Sequence, residues 1–112
     1  YQRRVRGNEF YNFVVFVPLT HKEQVKAAIF SAGSGKLGNY DCCSFETVGT
    51  GQFRALQGAA PFVREVDKLE TVQEAKVECI CPVSCIQSVI QAMRQAHPYE
   101  EPAFHYFSIC IQ

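Results

Sequence analysis

Two stretches of the chain, 64 residues apart, follow one pattern of apolar and polar positions. Phe13 to Val17 is an unbroken apolar run closed by Pro18, and Val77 to Cys81 is an apolar run closed by Pro82. Runs of this length predict strands, and each proline ends its strand where a ladder N–H is no longer required. Thr20 with Glu23, and Ser84 with Gln87, each spell a capping box, which predicts a helix start behind each strand. Val25, Ala28, Ile29 and Ala32 recur at i, i+3, i+4 and i+7, and Val89, Ala92, Met93 and Ala96 repeat that stripe. The first helix is predicted to stop at Gly33 and the second at His97-Pro98.

Behind the first helix the pattern predicts a hairpin, Tyr40 to Val48 and Gln52 to Leu56, turned by Gly49-Thr50-Gly51. Lys68 to Val72 reads as a further strand fragment and Phe104 to Ile111 as the final strand. The order is β-α-β-β-α-β, the ferredoxin-like α+β arrangement, with one antiparallel sheet and two helices on one face. Two helices leave the other face bare. Yet the final strand directs Phe104, Tyr106 and Cys110 one way and Phe107, Ile109 and Ile111 the other, and the first strand shows no polar alternation after Asn12. A strand with one wet face should alternate. The second face is therefore expected to be buried against other copies of the chain, a homo-oligomer whose copy number the pattern does not give.

The 112 residues, 47% of them hydrophobic, make one domain with enough core to stand without disulfides or metals. That apolar content at zero formal charge excludes a disordered chain and argues against a sequence-independent nucleic-acid binder. The balance of 11 bases and 11 acids conceals an asymmetry, because Arg3, Arg4 and Arg6 lie in the first eight residues. Residues 1–8 read as a trimmed or disordered arm, with a functional basic arm the lesser alternative, and residues 9–112 as a single, mildly acidic domain. The longest apolar run is far short of the roughly 20 residues of a membrane span, and no secretory segment is visible, so a soluble cytoplasmic protein is expected. Cys42, Cys43, Cys79, Cys81, Cys85 and Cys110 form neither C-x-x-C nor a zinc spacing. They read as small buried hydrophobes in a reducing compartment, with Cys79 and Cys81 on one strand face, although the vicinal Cys42–Cys43 pair fits this less well because it falls in a polar, glycine-flanked segment.

Three segments could carry chemistry. In Gly33 to Phe45 the glycines and Lys36 invite a phosphate-loop reading, but the Walker spacing is absent and positive φ at a helix exit is the stronger account. Asn39, Tyr40 and Cys43 gather polar and reactive groups at a strand entrance; equally, Asn39 caps a turn and Tyr40 packs. His97-Pro98-Tyr99-Glu100-Glu101-Pro102 sets a histidine, a tyrosine and two carboxylates between prolines. An imidazolium at a helix C-terminus needs no function; alternatively His97, Glu101 and His105 are weak candidates to bind a divalent metal. Gly49 to Arg54, continuing through Gly58 to Phe62, is either a hairpin reaching a neighbour or ligand, or a flexible tip. No serine or cysteine has an evident base partner, so no catalytic residue is assigned.

Taken together, Gly38-Asn39-Tyr40-Asp41-Cys42-Cys43-Ser44-Phe45, Gly49-Thr50-Gly51-Gln52-Phe53, Gly58-Ala59-Ala60-Pro61-Phe62 and the His97–Pro102 segment resemble the domain inserted in bacterial Nif-three-like (YqfO) proteins. The resemblance spans about residues 10 to 111, and the chain looks like a free-standing copy of that domain. Arg64 departs from the family's frequent glycine at that turn. The His-Pro-Tyr-Glu stretch also resembles the corresponding turn of CutA, the divalent-cation tolerance protein. The resemblance implies the fold of the PII signalling proteins and a homotrimer. It does not carry over a cyclohydrolase or metal-hydrolase label, because the two-metal site of the long proteins lies in the domains flanking the insert. The expectation is a non-enzymatic trimer that binds a small ligand or divalent metal at inter-subunit clefts, near Asn39, Tyr40, Cys43, His97, Tyr99 and Glu100. Its rival is a purely structural or partner-binding trimer in which those residues serve assembly, and a metal-dependent hydrolase comes third.

Overall fold

The computed structural model describes residues 10–58 and 66–111. In chain order they form β1 (Phe10–Pro18), α1 (Lys22–Ser31), β2 (Phe45–Arg54), β3 (Leu69–Pro82), α2 (Ile86–Ala96) and β4 (Phe104–Ile109). The strands make one sheet in the order β2-β3-β1-β4, with each neighbouring pair antiparallel. This is the expected ferredoxin-like α+β arrangement, although the hairpin, the strand fragment and the Val77–Cys81 run named from the pattern are two strands here, β2 and β3. The arginine-rich arm, the Ala59–Phe62 stretch and Arg64 lie outside the described residues.

The internal repeat survives as geometry. Pro18 and Pro82 leave their strands at φ −58° with ψ 145° and 142°, and each opens a 3₁₀ turn, Leu19–His21 or Val83–Cys85, ahead of its helix. That turn overturns both capping boxes. It absorbs Thr20 and Ser84, so the helices begin behind His21 and Cys85, and neither helix has a side-chain cap bond. The Thr20 hydroxyl instead meets His21 Nδ1 at 2.8 Å. α1 closes as expected on Gly33, whose φ of +122° only glycine adopts readily. The Gly33 N–H donates to Phe30 O and the Ser34 N–H to Ile29 O, both at 3.1 Å, a Schellman closure of the last turn.

The middle of the sheet departs from the sequence reading. Gly49-Thr50-Gly51 is not a turn; it runs inside β2, with Gly49 opposite Glu74 and Gly51 opposite Val72. The expected fragment at Lys68–Val72 and the run at Val77–Cys81 belong to one 14-residue strand, β3. Gly51 has a packing reason to be glycine, since the Glu74 carboxylate occupies the space its Cβ would take. Tyr40, expected in the strand, sits in a tight turn where Leu37 and Tyr40 exchange backbone hydrogen bonds of 3.0 Å. β4 stops at Ile109, two residues short of the expected end. Because β1 pairs with β3 only as far as Pro18 and Glu74, the pairs from Thr50–Gln73 to Arg54–Leu69 continue past β1 as a two-stranded arm.

The core lies between one sheet face and the helices. Phe13, Val15 and Val17 of β1, with Val77, Cys79 and Cys81 of β3, pack against Val25, Ile29, Val89 and Met93. Cys79 and Cys81 thus share the buried face, as their spacing predicts. Each large apolar side chain buried there stabilises the fold by about 1.5–3 kcal/mol. Lys22 and Lys26 of α1 grip Glu46 of β2 at 2.6 and 2.9 Å and tie the helix to the sheet edge. The opposite face carries Val14, Phe16, Ile80, Phe45, Phe107 and Ile109 on alternate positions of four strands. Neither helix packs there, and Phe45 and Phe107 remain 69% and 49% exposed. No described helix is long and apolar enough to cross a membrane.

Candidate functional site

Pro98 shapes the turn after α2. A residue before proline is pushed out of the helical region, and His97 accordingly takes φ −79° and ψ 139°. The helix ends there and the imidazole swings under β1. Its Nε2–H donates to the Phe16 carbonyl at 2.8 Å, and its Nδ1 accepts the Tyr99 backbone N–H at 3.2 Å. Because Nδ1 accepts an N–H, the ring proton sits on Nε2 and the imidazole is neutral. His97 is 6% exposed. Burial pushes its pKa below the ordinary histidine value, the bond to Phe16 opposing and His21 adding a smaller push downward.

With its N–H held by His97, Tyr99 is aimed across the end of the sheet. Its hydroxyl donates to Glu74 Oε2 at 3.4 Å, and its ring lies 6.0 Å from Phe53 and 5.1 Å from His97. Burial, reinforced by the neighbouring Glu74 charge, pushes the phenol up to about 12. Burial likewise raises the Glu74 carboxyl, with the Tyr99 bond pulling the other way. These groups border a cleft of about 490 Å³, also lined by Phe16, Arg54, Glu100 and Glu101. Sequence reasoning found Tyr99, the two adjacent acids and the segment that holds Phe53 and Arg54, but missed Glu74. Glu74 carries no local signal; its only trace is a strand glycine, Gly51, that makes room for it.

The other expected site residues lie elsewhere. Gly38, at φ +59°, and Asn39 form the tip of the Leu37–Tyr40 turn, so Asn39 is a turn residue, while Tyr40 is 75% exposed rather than packed. The Cys43 N–H donates to Gly35 O at 2.9 Å, and its side chain borders a second cleft with Asn12, Phe45, Glu78 and Ile80. Asn12 and Phe16 mark the two clefts on β1, about 13 Å apart at strand rise. Within one chain the six residues therefore divide into two groups, Asn39, Tyr40 and Cys43 in one and His97, Tyr99 and Glu100 in the other.

In this structure both ring nitrogens of His97, the first of the expected metal candidates, are engaged in hydrogen bonds. His105 is on the face without helices, its ring 6.3 Å from Phe16 and 6.2 Å from Phe107, while Glu101 borders the Tyr99 cleft. Among the described residues no group of three or more His, Cys, Asp or Glu side chains is placed to hold a metal ion.

No family model matches the chain. It is 46% identical over 97 residues to the GTP cyclohydrolase 1 type 2 homolog of Mycobacterium tuberculosis, a match covering 87% of this chain and 26% of that protein. The corresponding Bacillus subtilis protein is 44% identical over 95 residues, covering 85% and 26%. The chain thus spans about a quarter of the length of the curated relatives it matches. Among solved structures, a Bacillus cereus protein related to NIF3 superposes with a TM-score of 0.79 at 39% identity, over 97% of this chain and 27% of that one. CutA from Xylella fastidiosa gives 0.65 at 17% identity, over 93% and 86% of the two chains. B. subtilis GlnK in its ATP complex gives 0.57 at 7%, over 90% and 83%, and at these identities the likeness to CutA and GlnK is one of fold. Over nearly all its length the chain is therefore similar to one quarter-length segment of the NIF3-related GTP cyclohydrolase 1 type 2 homologs, and it has the ferredoxin-like fold of CutA and GlnK.

Proposed function

We propose that the chain is a PII-like, CutA-like module that assembles as a cytoplasmic homotrimer and binds a small ligand at clefts between subunits, without catalysing a reaction. The observation that carries this reading is the sheet face on which neither helix packs, with its exposed Phe45 and Phe107. Apolar area of this kind gains about 25 cal/mol per Å² when a partner removes it from water, and cyclic assembly is the usual way for one chain to supply that partner. The ligand takes the cleft below Tyr99, and a neighbouring copy brings its Asn39, Tyr40 and Cys43 toward the cleft mouth. The matched segment is about a quarter of the proteins that bear the cyclohydrolase name, and that name is not carried over. A metal is left out of the reading, because both His97 ring nitrogens are engaged, Nε2–H with the Phe16 carbonyl and the Nδ1 lone pair with the Tyr99 N–H.

Native mass spectrometry of protein purified without affinity metal tests this directly. A trimer mass with retained small-molecule mass is expected, and a monomer overturns the proposal. The commitment of His97 to Phe16 and Tyr99 favours a second reading, in which the motif serves folding and assembly alone. His97→Ala and Glu100→Ala separate the two. Loss of the trimer in size-exclusion chromatography supports the structural reading, while an intact trimer that no longer binds ligand supports the first.

A further inference from the structure

The cleft below Tyr99 joins aromatic surface to negative charge. The rings of Phe53 and Tyr99 meet at 6.0 Å and 54° to form a corner, and Phe16 adds a third ring to the wall. Among the described residues its charged side chains are Glu74, Glu100 and Glu101 against Arg54. Glu74 is half-buried, and the hydrogen bond it receives is the long one, 3.4 Å, from the neutral Tyr99 hydroxyl. A carboxylate removed from water and met by one neutral donor is poorly compensated, and the chemistry that completes it is a cation.

We propose that this cleft takes a small organic cation, its alkylammonium or guanidinium head seated between the Glu74 carboxylate and the Phe53–Tyr99 corner. Such a head is drawn both to a carboxylate and to the negative face of an aromatic ring. The volume of about 490 Å³ is that of a small-molecule site. The half-buried Glu74 carboxylate beside the aromatic corner favours a cation over a polyphosphate, so the seat is expected to select against a nucleotide such as the ATP bound by GlnK. The inference rests on the ligand-binding reading above, but every side chain it uses comes from one chain.

The test is a titration of the whole chain with agmatine, which carries both kinds of head, followed through the Tyr99 ring signals by NMR, with ATP titrated in parallel. Agmatine should shift Tyr99 saturably and ATP should not. Glu74→Gln should weaken agmatine about tenfold and Phe53→Leu severalfold, with Glu23→Gln, an exposed α1 position that does not line the cleft, as an unaffected control. The inference is overturned if Glu74→Gln binds agmatine as tightly as the native chain, or if ATP shifts Tyr99 and agmatine does not. Copy number read by native mass spectrometry on the same samples keeps the two proposals apart. A monomer that binds agmatine removes the trimer and leaves the cation site; a trimer that does not bind it does the reverse.

Discussion

His97 acts on the cleft from beneath it, by holding the Tyr99 backbone rather than by touching a ligand. Removing the ring in His97→Ala takes away two part-buried hydrogen bonds, to the Phe16 carbonyl and from the Tyr99 N–H, a loss of about 1–3 kcal/mol measurable by urea denaturation. The bonds also set a pH dependence. The folded-state pKa of His97 lies below 6.5, so its stabilisation is fully present above that value and is lost as pH falls through the folded pKa. Between about pH 7.5 and 5 the native chain should therefore lose melting temperature that His97→Gln does not lose. Glu74 has the opposite sign. Its folded pKa lies above 4.5, so the buried charge costs stability once pH has risen past it, and the cost fades as pH falls toward 4.5. Glu74→Gln should accordingly be at least as stable as the native chain near neutrality, which thermal melts at several pH values will show. A less stable variant would mean that the carboxylate is better compensated than its Tyr99 bond implies.

At the scale of elements, β2 provides a paired test of why its glycines are there. A Cβ at Gly49 meets nothing within 4 Å, whereas one at Gly51 runs into the Glu74 carboxylate. Gly49→Thr should be neutral or stabilising by up to about 1 kcal/mol, because a β-branched residue suits an open strand position. Gly51→Ala should destabilise and shift the Tyr99 signals, since Glu74 must move. If both substitutions destabilise alike, residues 49–51 form the turn that the sequence suggests and β2 is not continuous. The comparison also shows where the sequence was readable. Strand, proline and helical stripe were legible because each is a local pattern, and their recurrence after 64 residues confirmed the β-α plan twice. The turn was misplaced because two glycines two residues apart look like punctuation, while the reason for Gly51 lies 23 residues away at Glu74. The capping boxes failed for a similar reason, as fixed proline geometry draws Thr20 and Ser84 into 3₁₀ turns that their own spacing does not announce. His97 and Tyr99 were visible as residues, but their partners Phe16 and Glu74 were not, because only the β1–β3 register brings these groups together.

For the whole molecule, the decisive surface is the sheet face without helices, and Phe107 is the position that separates assembly from folding. Phe104 and Tyr106 of β4 lie on the core side of the sheet, with Phe104 6.0 Å from Phe13 and the Tyr106 ring 4.8 Å from Tyr11. Changing either would confuse loss of core with loss of interface. Phe107 points the other way, opposite Asn12, and among the described residues its ring stacks at 6.2 Å on His105. Phe107→Asp should therefore leave the circular dichroism spectrum unchanged while placing a charge on the proposed interface, where desolvating it without a partner costs several kcal/mol. The expected result is a monomer by light scattering where the native chain is a trimer. Melting gives an independent reading, because association stabilises by mass action: the native transition should rise with protein concentration and that of Phe107→Asp should not. A variant that remains trimeric, with the same concentration dependence, would move the interface away from this face. The exposed edges of β2 and β4 would then be the surfaces left to join the copies.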